Sequence, residues 1–243
     1  MVKWVVKINE RTCTALTRTF PKLLPHGDYG KTLLNIIDNF IEKREFTHVL
    51  EVGGIDRPLL RKSPAIRLEG LDIEFKEDCG KIYDNFLVQS IEEPISRKYD
   101  LIISKTLLEH VRNNSTGLKS CYGALKQGGT MIHYLPSKWH PYSIILRLIG
   151  PRLQKLFIAL FRSHALAKTG YPAYFDHCSP AAMKHVLTDI GFIKISIKPF
   201  YNAADYFSFC FPLYTIVLLW EHFCRKLGWA QFCSGFIFVA EKS

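Results

Sequence analysis

Short apolar runs rich in β-branched residues recur through the first 135 positions, and each stops abruptly at small or polar residues. THVLEV at 47–52 ends on Gly53 and Gly54, YDLIIS at 99–104 runs into a lysine, and a third run spans 129–135. Apolar side chains on successive rather than alternate positions mark strands covered on both faces, as in a parallel sheet. Residues 65–73, ending near Asp72, and 85–90, ending at Gln89 and Ser90, give weaker strands of the same kind.

Helical periods fill the intervals. Residues 29–43 carry Leu33, Leu34, Ile36, Ile37, Phe40 and Ile41 on one face. Further helices are expected at 116–125, before a turn at Gly128 and Gly129, and at 179–190, where Gly191 supplies a stop. Helices alternating with buried strands imply βαβ crossovers and a mostly parallel sheet. A chain of 243 residues with 48% hydrophobic content is long enough for one such domain, and the expectation is a single domain over 1–243.

Two stretches break the rhythm. Residues 137–178 include a basic, apolar segment at 141–162 in which Arg147, Arg152, Lys155 and Arg162 interrupt Ile, Leu and Phe, and residues 201–232 are rich in aromatic residues. Both follow sheet strands, where insertions build the walls of active sites. The basic segment reads either as a helical lid with a solvated face or as an amphipathic helix inserting at an anionic interface. The aromatic stretch reads as core packing or as the wall of an apolar pocket. Its most apolar window, 207–220, contains Pro212 and is shorter than the roughly 20 residues needed to span a bilayer.

A formal charge of +10 indicates an attraction to polyanions or anionic membranes. Nucleic acid is the weaker expectation, because the basic residues do not cluster with aromatics in any RNA or DNA module. Seven cysteines without a CxxC pair point to no zinc site and no disulfide framework, which fits a reducing cytoplasm. The apolar patch at 4–6 is interrupted by Lys3 and Lys7 and is too short for a secretory signal.

In an open parallel sheet, ligands bind beyond the carboxyl ends of the strands, and the first strand-to-helix turn approaches them most closely. Glu51-Val52-Gly53-Gly54 occupies that turn, with Asp72 21 residues after Glu51 at the end of the next strand. An acidic residue there can accept hydrogen bonds from both hydroxyls of a ribose.

VLEVGG (49–54), LDI (71–73), YDLIISKTLLEHV (99–111), ALKQGGTMIHYLP (124–136) and SPAAMKHVLTDIGF (179–192) together, in this order, resemble the class I S-adenosylmethionine (SAM)-dependent methyltransferases. The likeness is to the small-molecule branch that includes ubiquinone-biosynthesis-type enzymes, and it covers about half of the chain. It implies a Rossmann-like, doubly wound seven-stranded α/β sheet of order 3-2-1-4-5-7-6, the last strand (235–241) antiparallel beside the fifth. Residues 1–45 would form an N-terminal helical cap, and 137–178 and 201–232 helical lid insertions.

By the same resemblance Glu51, Gly53 and Gly54 would line the methionine moiety of SAM, Asp72 would bind the ribose, and Ile73 would pack on the adenine. Gln89 and Ser90 would lie at the adenine edge and Ser104 near the methionine portion. Glu109 and His110 would stand at the mouth, beside the acceptor. A neutral histidine there can take a proton from an acceptor hydroxyl. His110, His133 and His140 are the candidates, His110 and His140 by their places after the fourth and fifth strands.

The sequence departs from the family pattern at Ile55-Asp56-Arg57-Pro58, where a third small residue is usual, and at Gln89, where an aspartate is usual. Two readings follow: a methyltransferase for a hydrophobic or membrane-associated small molecule (a lipid, a lipid-linked glycan or a quinone precursor), working peripherally on the inner face of a membrane, or a non-catalytic membrane-surface or scaffold protein that retains the fold. A nicotinamide-dependent oxidoreductase is a third, opposed by the missing GxGxxG.

Overall fold

The computed structural model describes residues 2–23, 27–55, 57–145, 147–148 and 171–243. Its elements are α1 (Val2–Thr19), α2 (Tyr29–Arg44), β1 (His48–Val52), β2 (Arg67–Asp72), α3 (Cys79–Ile82), β3 (Asn85–Val88), β4 (Tyr99–Lys105), α4 (Asn114–Ala124), β5 (Leu125–Pro136), α5 (Pro180–Ile190), β6 (Phe192–Phe200), α6 (Phe211–Lys226) and β7 (Gly235–Lys242). The seven strands form one sheet in the order β3-β2-β1-β4-β5-β7-β6. Each strand expected from the sequence is present, and the order is the expected one.

The chain divides into two compact units. One takes residues 29–136, 173–198 and 236–243 and carries the sheet; the other takes residues 1–28, 137–172 and 199–235. The expected N-terminal cap is therefore split: α2 belongs with the sheet, whereas α1 joins the two insertions. The basic apolar segment at 141–162 lies mostly outside the described residues.

In the sheet unit, Leu50, Leu68, Leu101, Ile102, Ile103, Ile132, Phe236 and Phe238 are fully buried, which is why apolar residues dominate their strands on both faces. Two carboxylates pin the strand starts. Asp100 accepts the backbone N–H groups of His48 (2.8 Å) and Thr47 (3.1 Å) and pairs with Lys126 at 2.8 Å. Glu69, buried within β2, accepts from Arg97 at 2.8 Å, from the Tyr99 hydroxyl at 2.9 Å and from Arg67 at 3.0 Å. Burial raises its pKa, and Arg97 and Tyr99 overcome that and hold it below the usual carboxylate range.

Parallel strands β1 and β2 would ordinarily be joined by a helix. None of the described residues between them, 53–66, is helical. Pro58 and Pro64 each remove a backbone donor and bias the preceding residue away from helix, so the crossover runs as an irregular loop.

In the other unit, α1 and α6 share a core of Cys13, Ala204, Phe207, Tyr214, Val217 and Leu218. The Asn9 side chain ties them: its amide donates to the Phe209 carbonyl at 2.9 Å and its oxygen accepts from Phe211 N–H at 3.1 Å. All seven cysteines are free, and all but Cys210 are buried. Among the described residues no helix is long and apolar enough to cross a membrane.

Candidate cofactor site

Register brings the expected residues to one edge. Val52 lies opposite Leu71 on β2 and Ser104 on β4, and Asp72 lies opposite Val88 on β3. Gly53 donates its N–H to the Leu71 carbonyl at 2.8 Å, and Gln89 donates its own to Asp72 at 3.0 Å. The carboxyl ends of four adjacent parallel strands thus place Gly53, Asp72, Gln89 and Lys105 in a row.

The glycine pair is needed, though for a reason the sequence does not disclose. Gly53 adopts φ +74°, the left-handed region open to glycine, and a Cβ there would stand 2.8 Å from Leu107. A Cβ on Gly54 would fall within 2.6 Å of both the Tyr83 hydroxyl and the Glu51 carboxylate. Both glycines let the turn press against protein atoms, so Tyr83 and Leu107 belong to the site as much as the motif residues do.

Glu51 is buried beneath this turn. Its carboxylate accepts the backbone N–H of Leu59 at 2.6 Å and of Leu60 at 3.5 Å, folding the loop back over the strand end. Burial raises its pKa to about 7, against the pull of those two amides and of the neighbouring Tyr83 hydroxyl. Glu51 therefore acts on the loop through specific bonds. A further turn closes from Arg57 N–H to the Gly54 carbonyl at 3.1 Å, leaving Arg57 exposed.

Asp72 stands half-buried at the end of β2, one carboxylate oxygen accepting the Ile73 N–H at 2.7 Å. Beside it Ile73 and Val88 are 59% and 58% exposed, and Phe75, exposed as well, meets Phe86 edge-on at 5.9 Å. Apolar side chains left open on both sides of a carboxylate suit a ligand with a flat apolar ring and vicinal hydroxyls, and the nucleoside of SAM is such a ligand. Val88, Phe75, Tyr83 and Leu107 escaped the sequence reading, because nothing in a sequence marks a strand-end apolar residue as uncovered.

Other expected residues have other engagements. The Gln89 amide donates to the Pro94 carbonyl at 3.4 Å, and the Ser90 hydroxyl accepts the Glu92 N–H at 3.1 Å, which shapes the turn after β3. Ser104 sits at the strand end as expected, but it is fully buried and its hydroxyl bonds His133 Nδ1. His133, stacked on Phe238 at 5.0 Å, is held neutral by burial, its pKa pushed down to about 3.

Past β4 the backbone is strained. Thr106 has φ +54°, a conformation costly for a β-branched residue and concentrated at functional sites. Glu109 follows, its carboxyl buried with Oε2 lacking a hydrogen-bond partner among the described residues, and burial raises its pKa to about 8. His110, partly exposed, places Nε2 3.8 Å from Glu109 Oε1. The segment is clamped from 174–178: Tyr174 donates to the Glu109 carbonyl at 2.8 Å, and Asn114 bridges Leu108 and Asp176.

His140 belongs to the other unit. It is fully buried; Nδ1 accepts the Tyr142 N–H at 3.1 Å, and Nε2 stands 3.3 Å from Glu221. Glu221 also accepts the Ala203 N–H at 2.8 Å. That is the setting of a histidine that fastens its own unit.

Against solved structures the chain matches a Haemonchus contortus phosphoethanolamine N-methyltransferase 2 in complex with SAM, with TM-score 0.55 at 13% identity over 90% of this chain and 53% of that one. A SAM-dependent methyltransferase from Archaeoglobus fulgidus gives TM-score 0.52 at 18% identity, covering 94% and 99%. Magnesium protoporphyrin IX methyltransferase from Synechocystis, with bound S-adenosylhomocysteine, gives 0.51 at 14%, covering 88% and 84%. This chain spans about half the length of the Haemonchus enzyme. No family model matches, and no curated protein does. At these identities the likeness establishes the class I SAM-dependent methyltransferase fold.

Proposed function

We propose that this protein binds SAM at the carboxyl edge of β1–β4 and transfers its methyl group to a hydrophobic or membrane-associated small molecule. The observation that carries the first half is the row of Gly53, Asp72 and Gln89, with Ile73 and Val88 exposed around it, in a sheet of this strand order. When bound, SAM supplies an electrophilic methyl group on a sulfonium. The chain's own part is to hold the ribose hydroxyls at Asp72, pack the adenine against Ile73 and Val88, and keep the Glu51-pinned loop closed against the methionine portion. Positioning supplies most of the acceleration in such a displacement. Of the three histidines, His110 is the one that follows β4 and retains solvent access, so it is the group to accept an acceptor's proton; His133 is held neutral inside the sheet and His140 is buried against Glu221.

The apolar acceptor rests on the composition of the second unit, whose insertions are rich in aromatic, aliphatic and basic residues. Incubating the protein with labelled SAM and a lipid extract, then searching for products one methyl group heavier, tests this half.

A second reading, a scaffold that keeps the fold without the chemistry, is favoured by the β1–β2 crossover, where a loop bonded to Glu51 replaces a helix. Calorimetry separates the two. Saturable SAM binding that Asp72→Ala abolishes supports the enzyme, and no binding at millimolar SAM supports the scaffold.

A further inference from the structure

The unit formed by residues 1–28, 137–172 and 199–235 holds 13 Lys and Arg against four Asp and Glu, so that +9 of the protein's +10 charge falls on this one unit. Uncovered apolar surface is segregated the same way: of 20 large hydrophobic residues left exposed among the described residues, 14 belong to it.

Part of that surface is organised. On α6, Ile216, Leu219, Phe223 and Leu227 recur at intervals of three and four and form one stripe, 64%, 50%, 52% and 47% exposed. The opposite face, Tyr214, Val217, Leu218 and Cys224, is buried, so the helix carries two apolar faces of which only one is packed. Trp229, exposed at the C-terminal end, packs edge-on against Phe223 at 5.8 Å. Lys226 is exposed beside the stripe, and Lys7 and Arg11 are exposed on α1, which shares α6's core. Glu221, the one acidic residue of α6, is buried and engaged with Ala203, Ala204 and His140.

We infer that the α6 stripe docks on an anionic lipid bilayer, its apolar side chains entering the headgroup boundary and the surrounding lysines and arginines meeting the lipid phosphates and carboxylates. This deepens the membrane part of the proposed function. Charge decides the occupant. A second copy of this chain would bring one unit of net charge +9 against another of the same charge, whereas a bilayer carrying negative headgroups turns that charge into attraction, each basic residue near it strengthening binding about five-fold.

The test is co-sedimentation of the whole protein with vesicles of phosphatidylcholine alone or mixed with phosphatidylserine, with SAM affinity measured on the same preparations. The wild type is expected to sediment with the mixed vesicles and not with phosphatidylcholine alone. Leu219→Ser combined with Phe223→Ser should weaken that binding at least ten-fold, because two anchors are lost, and Lys7→Glu with Lys226→Glu should weaken it comparably. Both positions of the serine pair are about half exposed, and unchanged thermal unfolding shows that the variant is folded. Wild type that ignores mixed vesicles overturns the inference, as does sedimentation that neither pair alters. So does a dimer in solution that the serine pair dissociates. Failure of SAM binding with vesicle binding intact would instead remove the methyltransferase reading and leave the docking surface standing.

Discussion

Gly54 and Glu51 depend on each other at the scale of single residues. An alanine at 54 would place its Cβ 2.4 Å from the Tyr83 hydroxyl and 2.5 Å from Glu51 Oε1. Gly54→Ala is expected to cost about 1–3 kcal/mol in urea unfolding, the range for overpacking a closed site. Glu51→Ala leaves the Leu59 and Leu60 amides without their acceptor, and the loss of these bonds should weaken SAM binding about ten-fold by calorimetry; Glu51→Gln, which keeps an acceptor oxygen, should weaken it less. Glu109 carries a pH dependence. Its folded pKa of about 8 lies above the ordinary value of 4.5, so the folded chain keeps a proton that the unfolded chain has released, and stability falls as pH rises between those values. Glu109→Gln removes that loss. Its melting temperature should therefore exceed the wild type's more at about pH 8 than at about pH 5.

Among the elements, the strands were legible because burial on both faces writes an apolar run into the sequence, and β1 through β5 fall within a few residues of where the runs placed them. The β1–β2 crossover was not. Pro58 and Pro64 were visible, yet that the intervening loop would be fastened to Glu51 is a tertiary fact with no local signature. The same holds for Ser104 and Gln89, whose polar groups are engaged by His133 and Pro94, partners 29 and 5 residues away. Likewise α6 could be read only as an aromatic-rich stretch; which of its faces meets α1 and which stays open depends on packing. The pinned loop makes a prediction of its own. Native-state hydrogen exchange should find the Leu59 amide protected, and Glu51→Ala should abolish that protection.

For the whole molecule, the division into a nearly neutral sheet unit and a strongly basic second unit separates two kinds of binding by their response to salt. Raising ionic strength from about 0.1 M to about 1 M shortens the Debye length from about 10 Å to about 3 Å, so vesicle binding should collapse while SAM binding, which rests on hydrogen bonds and apolar packing, changes little. Association measured across that salt range for both ligands checks this. The proposed nucleoside site at the strand ends of the sheet is tested by titration calorimetry of SAM into the wild type and Asp72→Ala. Saturable, one-to-one binding that the substitution lowers at least ten-fold is expected, since two ribose hydrogen bonds to a charged group are lost. Binding that Asp72→Ala leaves unchanged, or no heat at millimolar SAM, contradicts it.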